Sequence, residues 1–154
     1  MEIIIDSREQ KPLWKKDTKE VKITRTGLKT GDYSLKGLEH RFAIERKSAI
    51  DLFGTLGGGH KRFKKELERG LELDYFAILI DESYDNILNK EFKGAEFSKM
   101  KGAVIISILF TIHTKYKIPI FFSAGRQQSK RIIKSISESY LKYNSKYIID
   151  NNNI

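Results

Sequence analysis

Asp32, Glu45 and Lys47 are the residues of this chain whose types and spacing could do chemistry. Glu45 and Lys47 stand two apart at the end of Phe42-Ala43-Ile44, a run that reads as a buried strand. Alternate residues of a strand point to one face, so this carboxylate and this ammonium project together. Asp32 opens a second strand-like run, Tyr33-Ser34-Leu35. A hairpin joining the two runs would return Asp32 to the side of Glu45. Two hard oxygen donors beside one amine suit Mg²⁺ or Mn²⁺, with the amine left to hold a water or a phosphate. The chemistry indicated is metal-dependent hydrolysis of a phosphodiester.

The elements that must position these residues follow from the hydrophobic pattern. Glu2 to Asp6 reads as a strand, Lys11 to Glu20 as a polar loop, and Val21 to Thr26 as a half-buried strand. Gly27 and Gly31 bracket a turn, 37–40 reads as a hairpin connection, and Arg41 to Arg46 is the next strand. The opening is thus expected to be a meander of four strands. Ser48 is a predicted N-cap for a short helix through Phe53, followed by a flexible loop at Gly57-Gly58-Gly59. No GK[ST] follows those glycines, which argues against an NTP-binding loop. Lys61 to Leu73 is an amphipathic helix with Phe63, Leu67 and Leu71 on one face. Tyr75 to Ile80 is a continuous apolar run ending at Asp81, the pattern of a buried parallel strand.

Residues 83–96 read as a loop with a short helix. Ser98 to Tyr116 reads as a long helix, apolar nearly all round between Ala103 and Ile112, which is either wholly buried or shared with a partner subunit. Ile118 to Phe122 is a short strand. A last helix starts near Ser123 or Gly125, with Ile132, Ile133, Ile136, Tyr140 and Leu141 on one face. The order β-β-β-β-α-α-β-α-β-α predicts an α/β fold with a mixed central sheet flanked by helices. Residues 1–147 are expected to form a single domain and 148–154 a frayed tail.

The chain has 154 residues and carries 29 Lys and Arg against 20 Asp and Glu, a net charge of +9. That excess favours a polyanionic partner, nucleic acid above an anionic membrane surface. There is no cysteine, which excludes disulfides and thiolate metal sites. The N-terminus lacks the pattern of a signal peptide, and the run from Ala103 to Ile112 is too short to span a bilayer. The expected location is intracellular, cytoplasmic or nucleoid/nuclear, and not secreted.

Gly31-Asp32-Tyr33 with Glu45-Arg46-Lys47 and Asp51 resembles the GD…ERKxxxD signature of the XPF-type structure-specific endonucleases, a branch of the PD-(D/E)xK nucleases. Ile5-Asp6-Ser7-Arg8-Glu9 is similar to that family's V-D-x-R-E opening. Arg62-Phe63 and Ile78-Leu79-Ile80-Asp81 are similar to its later G-R-F and acidic-ended strand segments. The resemblance implies a restriction-endonuclease-like core in which Asp32 and Glu45 hold Mg²⁺ or Mn²⁺ with a backbone carbonyl at Arg46. It gives Asp6 and Glu9 a second metal position, the alternative being a plain loop after a strand. It makes Asp51 an anchor for Lys47 or Arg46, where the pattern alone shows only an acid in a helix's first turn. The family's tandem helix-hairpin-helix and helicase regions have no counterpart here, and Glu66 stands where the family often has Gln. The expectation is an active nuclease domain standing alone.

The remaining charged residues sort by chemistry. Arg8 could grip a phosphate or brace a carboxylate, or form an ordinary edge salt bridge. Arg46 faces away from Glu45 and Lys47 in a regular strand and is assigned to structural pairing. Lys61, Arg62, Lys64, Lys65 and Arg69 form the densest basic patch and would track a phosphate backbone, with Arg126, Lys130, Arg131 and Lys134 a weaker one. His113 is expected to pack within its apolar helix, and Tyr33 in the core. The reading is a Mg²⁺- or Mn²⁺-dependent DNA endonuclease, acting at branched or junction DNA. Homodimerisation through the 103–112 helix is a secondary expectation. Two other readings stay open: a non-cleaving DNA-binding or scaffolding module, and a broad-specificity nuclease of a mobile element or phage.

Overall fold

A computed structural model describes residues 1–58 and 60–144. Among them, β1 (Glu2–Asp6), β2 (Lys22–Thr26), β3 (Tyr33–Leu35), β4 (Phe42–Lys47), β5 (Tyr75–Ile80) and β6 (Ile120–Phe122) form one sheet. The helices are α1 (Ala49–Gly58), α2 (His60–Gly70), α3 (Tyr84–Asn89), α4 (Gly102–Tyr116) and α5 (Arg126–Tyr143), with a 3-10 turn at Ala95–Phe97. The strand order is β2-β1-β3-β4-β5-β6. β1 is parallel to β2 and antiparallel to β3, β3 is antiparallel to β4, and β4, β5 and β6 run parallel. This is the mixed sheet flanked by helices that the element order predicts.

The opening strands are not a meander. β2 lies outside β1 and parallel to it, so the chain from residue 7 to 21 crosses over, as a parallel pair requires. No helix forms in this crossover. It is anchored by burying Leu13 and Trp14, with the Leu13 N–H donating to Tyr33 Oη at 2.9 Å and Trp14 packing edge-on to the Tyr33 ring. Tyr33 is fully buried, as expected.

β4 and β5 are covered on both sides, which explains their continuous apolar runs. On one side Ala43, Ile78 and Ile80 pack with Leu52, Phe53, Phe63, Leu67, Ile105 and Leu109 of α1, α2 and α4. On the other, Phe42, Ile44, Ala77 and Leu79 pack with Ile133 and Tyr140 of α5.

Three helix expectations change. Ser48 caps α1, its Oγ accepting from the Asp51 N–H, but the helix runs on to Gly58 because Leu52, Phe53 and Leu56 carry its buried stripe. Gly57 and Gly58 therefore belong to a helix rather than a loop, and Met100 Sδ lies where a side chain on Gly57 would sit. α2 ends at Gly70, which lies flat against the Phe76 ring, and Leu71 beyond it is exposed. α4 begins at Gly102, four residues later than predicted, because 95–97 forms its own turn and Gly102 crosses close over the Leu88 carbonyl.

α4 is not wholly buried: Ile105, Ile106, Leu109 and Ile112 face the core, while Val104 and Phe110 are half exposed. His113 is exposed rather than packed in its helix, with Nδ1 hydrogen-bonded to the Ile118 carbonyl oxygen at 2.9 Å. No described helix is long and apolar enough to cross a membrane. The tail expected at 148–154, and the domain boundary at 147, lie outside the described residues.

Candidate active site

Gly31 turns the chain into β3 at φ +76, a conformation that favours glycine. A Cβ there would sit 2.9 Å from Ala43 Cβ, so glycine also permits close approach of the two strands. The following residue is thereby wedged between β1 and β4. The Asp32 N–H donates to the Ile44 carbonyl at 3.0 Å, and its carbonyl accepts from the Asp6 N–H at 2.8 Å. Its side-chain Oδ2 accepts from the Arg46 N–H at 2.8 Å. The hairpin expected between the two runs forms, with Tyr33 opposite Ile44, and it sets Asp32 beside Glu45.

Glu45 is only 5% exposed. Lys47, two residues on and on the same face, donates from Nζ to Glu45 Oε1 at 2.8 Å and lies 3.6 Å from Glu66 Oε2 of α2. The Phe63 ring 5.4 Å away backs the ammonium. Glu66 also stands close enough to the Glu45 carboxyl to add to the upward push on it.

The electrostatics record too little positive charge. Burial, then the neighbouring Asp32, pushes the Glu45 carboxyl well above the usual carboxylate range. Burial likewise raises Asp32 to about 6, with Glu9 and Glu66 adding to it against the Arg46 N–H bond and Lys47. Burial pulls Lys47 down, but Glu45 and Glu66 more than reverse this, so its ammonium is held above the ordinary lysine value.

Arg46 points to the other face, as the strand alternation predicts. It is clamped by ion pairs to Asp81 and to Glu9, the latter at 3.3 Å, and donates to the Lys11 carbonyl at 2.8 Å. Asp81 in turn accepts from the Ser129 hydroxyl of α5, which bonds Ser123. Its pairing is structural, and through its own N–H it holds Asp32 in place.

The structure does not bring every predicted residue to this cluster. The carboxylate of Asp6 is 3% exposed and already engaged, by Arg8 Nε at 2.9 Å and the Leu28 N–H at 3.0 Å, and it stays out of the cavity. Arg8 braces Asp6 and the Leu28 carbonyl while its side chain remains 73% exposed on the cavity wall. Glu9 does line the cavity of about 470 Å³ that Asp32, Glu45, Arg46 and Asp51 share. Asp51 is exposed on that rim and bonds Ser48 Oγ at 2.7 Å; Lys47 and Arg46 take other partners, so it is not their anchor.

Of the basic patch, Lys61, Arg62, Lys64 and Lys65 are exposed along α2. Arg62 borders a second cavity with Lys47 and Glu66. Arg69 lies apart from them, half-buried by Leu28, Thr30 and His40, and its Nε is buried with no hydrogen-bond partner. In the weaker patch, Arg126 is spent on the Lys11 and Pro12 carbonyls, and Lys134 on Glu20 and Glu138.

Glu66 and Asp81 are the site residues for which pattern reading found no role. A signal existed for the first: Glu66 is three residues from Phe63 and next to Leu67, a charge on the buried stripe of α2. Among the described residues no group of three or more His, Cys, Asp or Glu forms a ready metal cage. Mg²⁺ does not need one, since it is commonly held by one or two carboxylates plus substrate phosphate and water. Asp32 and Glu45, hard oxygen donors raised by burial and by neighbouring carboxylates, fit a divalent cation on charge and donor type.

A family model described as ERCC4 domain matches residues 5–136. Among solved structures the chain is similar to XPF from Aeropyrum pernix in complex with DNA, at TM-score 0.70 and 18% identity, over 92% of this chain and 65% of that one. It is also similar to XPF from Aeropyrum pernix at TM-score 0.66 and 18% identity, over 90% of this chain and 60% of that one. The chain thus spans less than two thirds of either structure's length, and at this identity the likeness establishes the fold. No curated protein matches the chain by sequence.

Proposed function

This chain belongs to the ERCC4 domain family, and from that premise we propose that it is a divalent-metal-dependent DNA endonuclease acting at branched or single-to-double-strand junction DNA. The observation that carries the reading is the set of buried Glu45 and half-buried Asp32 and Glu66 around the single ammonium of Lys47. Such a deficit of positive charge is costly without a bound ion and is relieved by a divalent cation.

Asp32, Glu45 and the Arg46 carbonyl would hold Mg²⁺ or Mn²⁺, which when bound would lower the pKa of a water and polarise the scissile phosphate. Lys47 stays protonated, so it works as a fixed donor and cation rather than as a base. From its place against Glu45 and Phe63 it orients the attacking water and offsets charge building on the phosphate oxygens. Arg46 keeps Asp32 aligned through its N–H, with its own side chain locked by Asp81 and Glu9. Glu66 steadies Lys47 from the far side. Lys61, Arg62, Lys64 and Lys65 contact the DNA backbone along α2. The DNA in the similar Aeropyrum pernix complex is consistent with that partner.

Two further parts of the reading belong here. The exposed Phe110 of α4, with Ala103, Ile106 and Tyr84, lines an apolar groove suited to a second copy of the chain. Sedimentation showing only monomer at micromolar concentration would rule that dimer out. The place of action is intracellular, where DNA is.

The test is cleavage of end-labelled duplex, flap and splayed-arm DNA with Mg²⁺ or Mn²⁺, wild type against Glu45→Gln. Metal-dependent cutting that disappears in the variant, with flap and splayed-arm DNA cut faster than duplex, is the expected result. Wild type that binds all three DNAs and cuts none would overturn it in favour of a non-cleaving scaffold.

A further inference from the structure

At 80% exposure, Phe97 is the most exposed large apolar side chain among the described residues. It is not on a loose segment. The 3-10 turn that carries it is closed by the Phe97 N–H donating to the Gly94 carbonyl at 3.1 Å and the Ser98 N–H to Ala95 at 3.3 Å. Gly94 holds φ +90 and Ala95 beneath is buried, while Lys90 Nζ ties the Ser98 carbonyl at 2.5 Å. A phenyl ring is thus presented to solvent by a fixed turn.

Its position relates it to the catalytic cavity. A carbon built onto Gly94 would touch Ile50 Cδ1 and lie 3.6 Å from Phe97 Cδ2, so both side chains flank one point. Ile50, itself 44% exposed, lines the cavity that contains Asp32 and Glu45. Ile50 and Phe97 therefore make an apolar ledge at the cavity mouth. Around the ring, Lys93, Lys99 and Lys101 are exposed and Glu96 is the one acid of that stretch. An exposed aromatic interleaved with lysines suits a single strand, whose bases offer a free π-face and whose phosphates take the cations. A base inside a duplex offers no such face. The same lysines, facing their own copies, disfavour a second copy of the chain as the occupant of this ledge.

We propose that Phe97, backed by Ile50, is a stacking platform for an unpaired base of the strand being cut. This rests on the nuclease reading and names the substrate feature that the site selects.

The test uses the full chain with a splayed-arm DNA carrying 2-aminopurine at its first unpaired position, together with end-labelled cleavage of the same DNA and of plain duplex. The wild type is expected to quench the probe, Phe97→Ala to lose the quench, and Phe97→Trp to regain it. The preference for splayed-arm over duplex cleavage should fall about tenfold in Phe97→Ala and recover in Phe97→Trp. Unchanged quench and unchanged preference in Phe97→Ala, with the wild type cutting, would overturn the proposal. So would sedimentation showing that Phe97→Ala turns a dimer into a monomer. Quenching that follows the ring while no DNA is cut upholds the platform and removes the nuclease reading instead.

Discussion

On one face of β4, Arg46 is met by Asp81, Glu9 and the Lys11 carbonyl, and Asp81 is completed by Ser129. On the other face, one residue away in each direction, Glu45 and Lys47 share a pocket with Asp32 and Glu66, three carboxylates to one ammonium. The first arrangement is satisfied by the chain itself and acts as framework. The second is left with more carboxylate than ammonium. The difference separates a framework residue from the residues of the proposed chemistry, although they alternate along a single strand. The two sets meet at one bond, from the Arg46 N–H to Asp32.

Breaking the satisfied face should have the largest effect. Arg46→Met leaves Asp81 and Glu9 nearly buried and unpaired, and is expected to cost about 3–5 kcal/mol in urea unfolding. A loss under 1 kcal/mol would mean that water already serves those acids. Breaking the other face should register in catalysis before stability. Lys47→Met is expected to lower kcat about 10²–10³-fold on splayed-arm DNA while shifting the urea midpoint less than Arg46→Met does. Equal losses of stability in the two variants would erase the proposed contrast.

Removing charge from the crowded face should stabilise the metal-free protein. The Asp32 carboxyl is raised from 3.8 to about 6, so the native state holds its proton more tightly than the unfolded chain. Its stabilising effect is complete below the ordinary value and is lost as pH rises through about 6. With chelator present, stability should therefore decline between about pH 4 and 6 from this group. Asp32→Asn should be more stable than wild type at pH 7.5 by about 1–2 kcal/mol, and no more stable at pH 4. Adding Mn²⁺ should raise the wild-type Tm more at pH 7.5 than at pH 5, and an equal rise would count against an acid-lined cation site. The smallest effect lies outside both faces. Lys64→Ala and Lys65→Ala should each weaken DNA binding a few-fold and reduce the salt slope by about 1, measured by fluorescence anisotropy.

The fold class, the Asp32–Glu45–Lys47 cluster and the outward turn of Arg46 were legible because each rests on local pattern. The period-two alternation of 42–47 and the glycine before Asp32 give both strands and their hairpin. What escaped depends on distant pairing. Nothing in Glu2–Asp6 or Lys22–Thr26 tells a parallel crossover from a hairpin, since that is decided by where Leu13 and Trp14 find an apolar surface. The role of Asp81 escaped for the same reason, its partners being Arg46 and Ser129. For Asp6 the motif leaves a second metal position and a plain loop open, and the carboxylate is engaged by Arg8 and the Leu28 N–H. Gly57 and Gly58 looked like a loop because glycine lowers helix propensity, yet the burial of Leu52, Phe53 and Leu56 overrode it.

The bond between the Ser129 hydroxyl and Asp81 has a consequence for the timing of folding. Arg46 is held by residues on both sides of it in sequence, Glu9 and Asp81, and Asp81 waits for Ser129 on α5. A chain leaving the ribosome N-terminus first exposes Arg46 before Asp81 and Ser129 can close on it. Contacts of such sequence separation form slowly, because the intervening chain must be closed before they are gained. The clamp on Arg46 is therefore complete only when α5 docks.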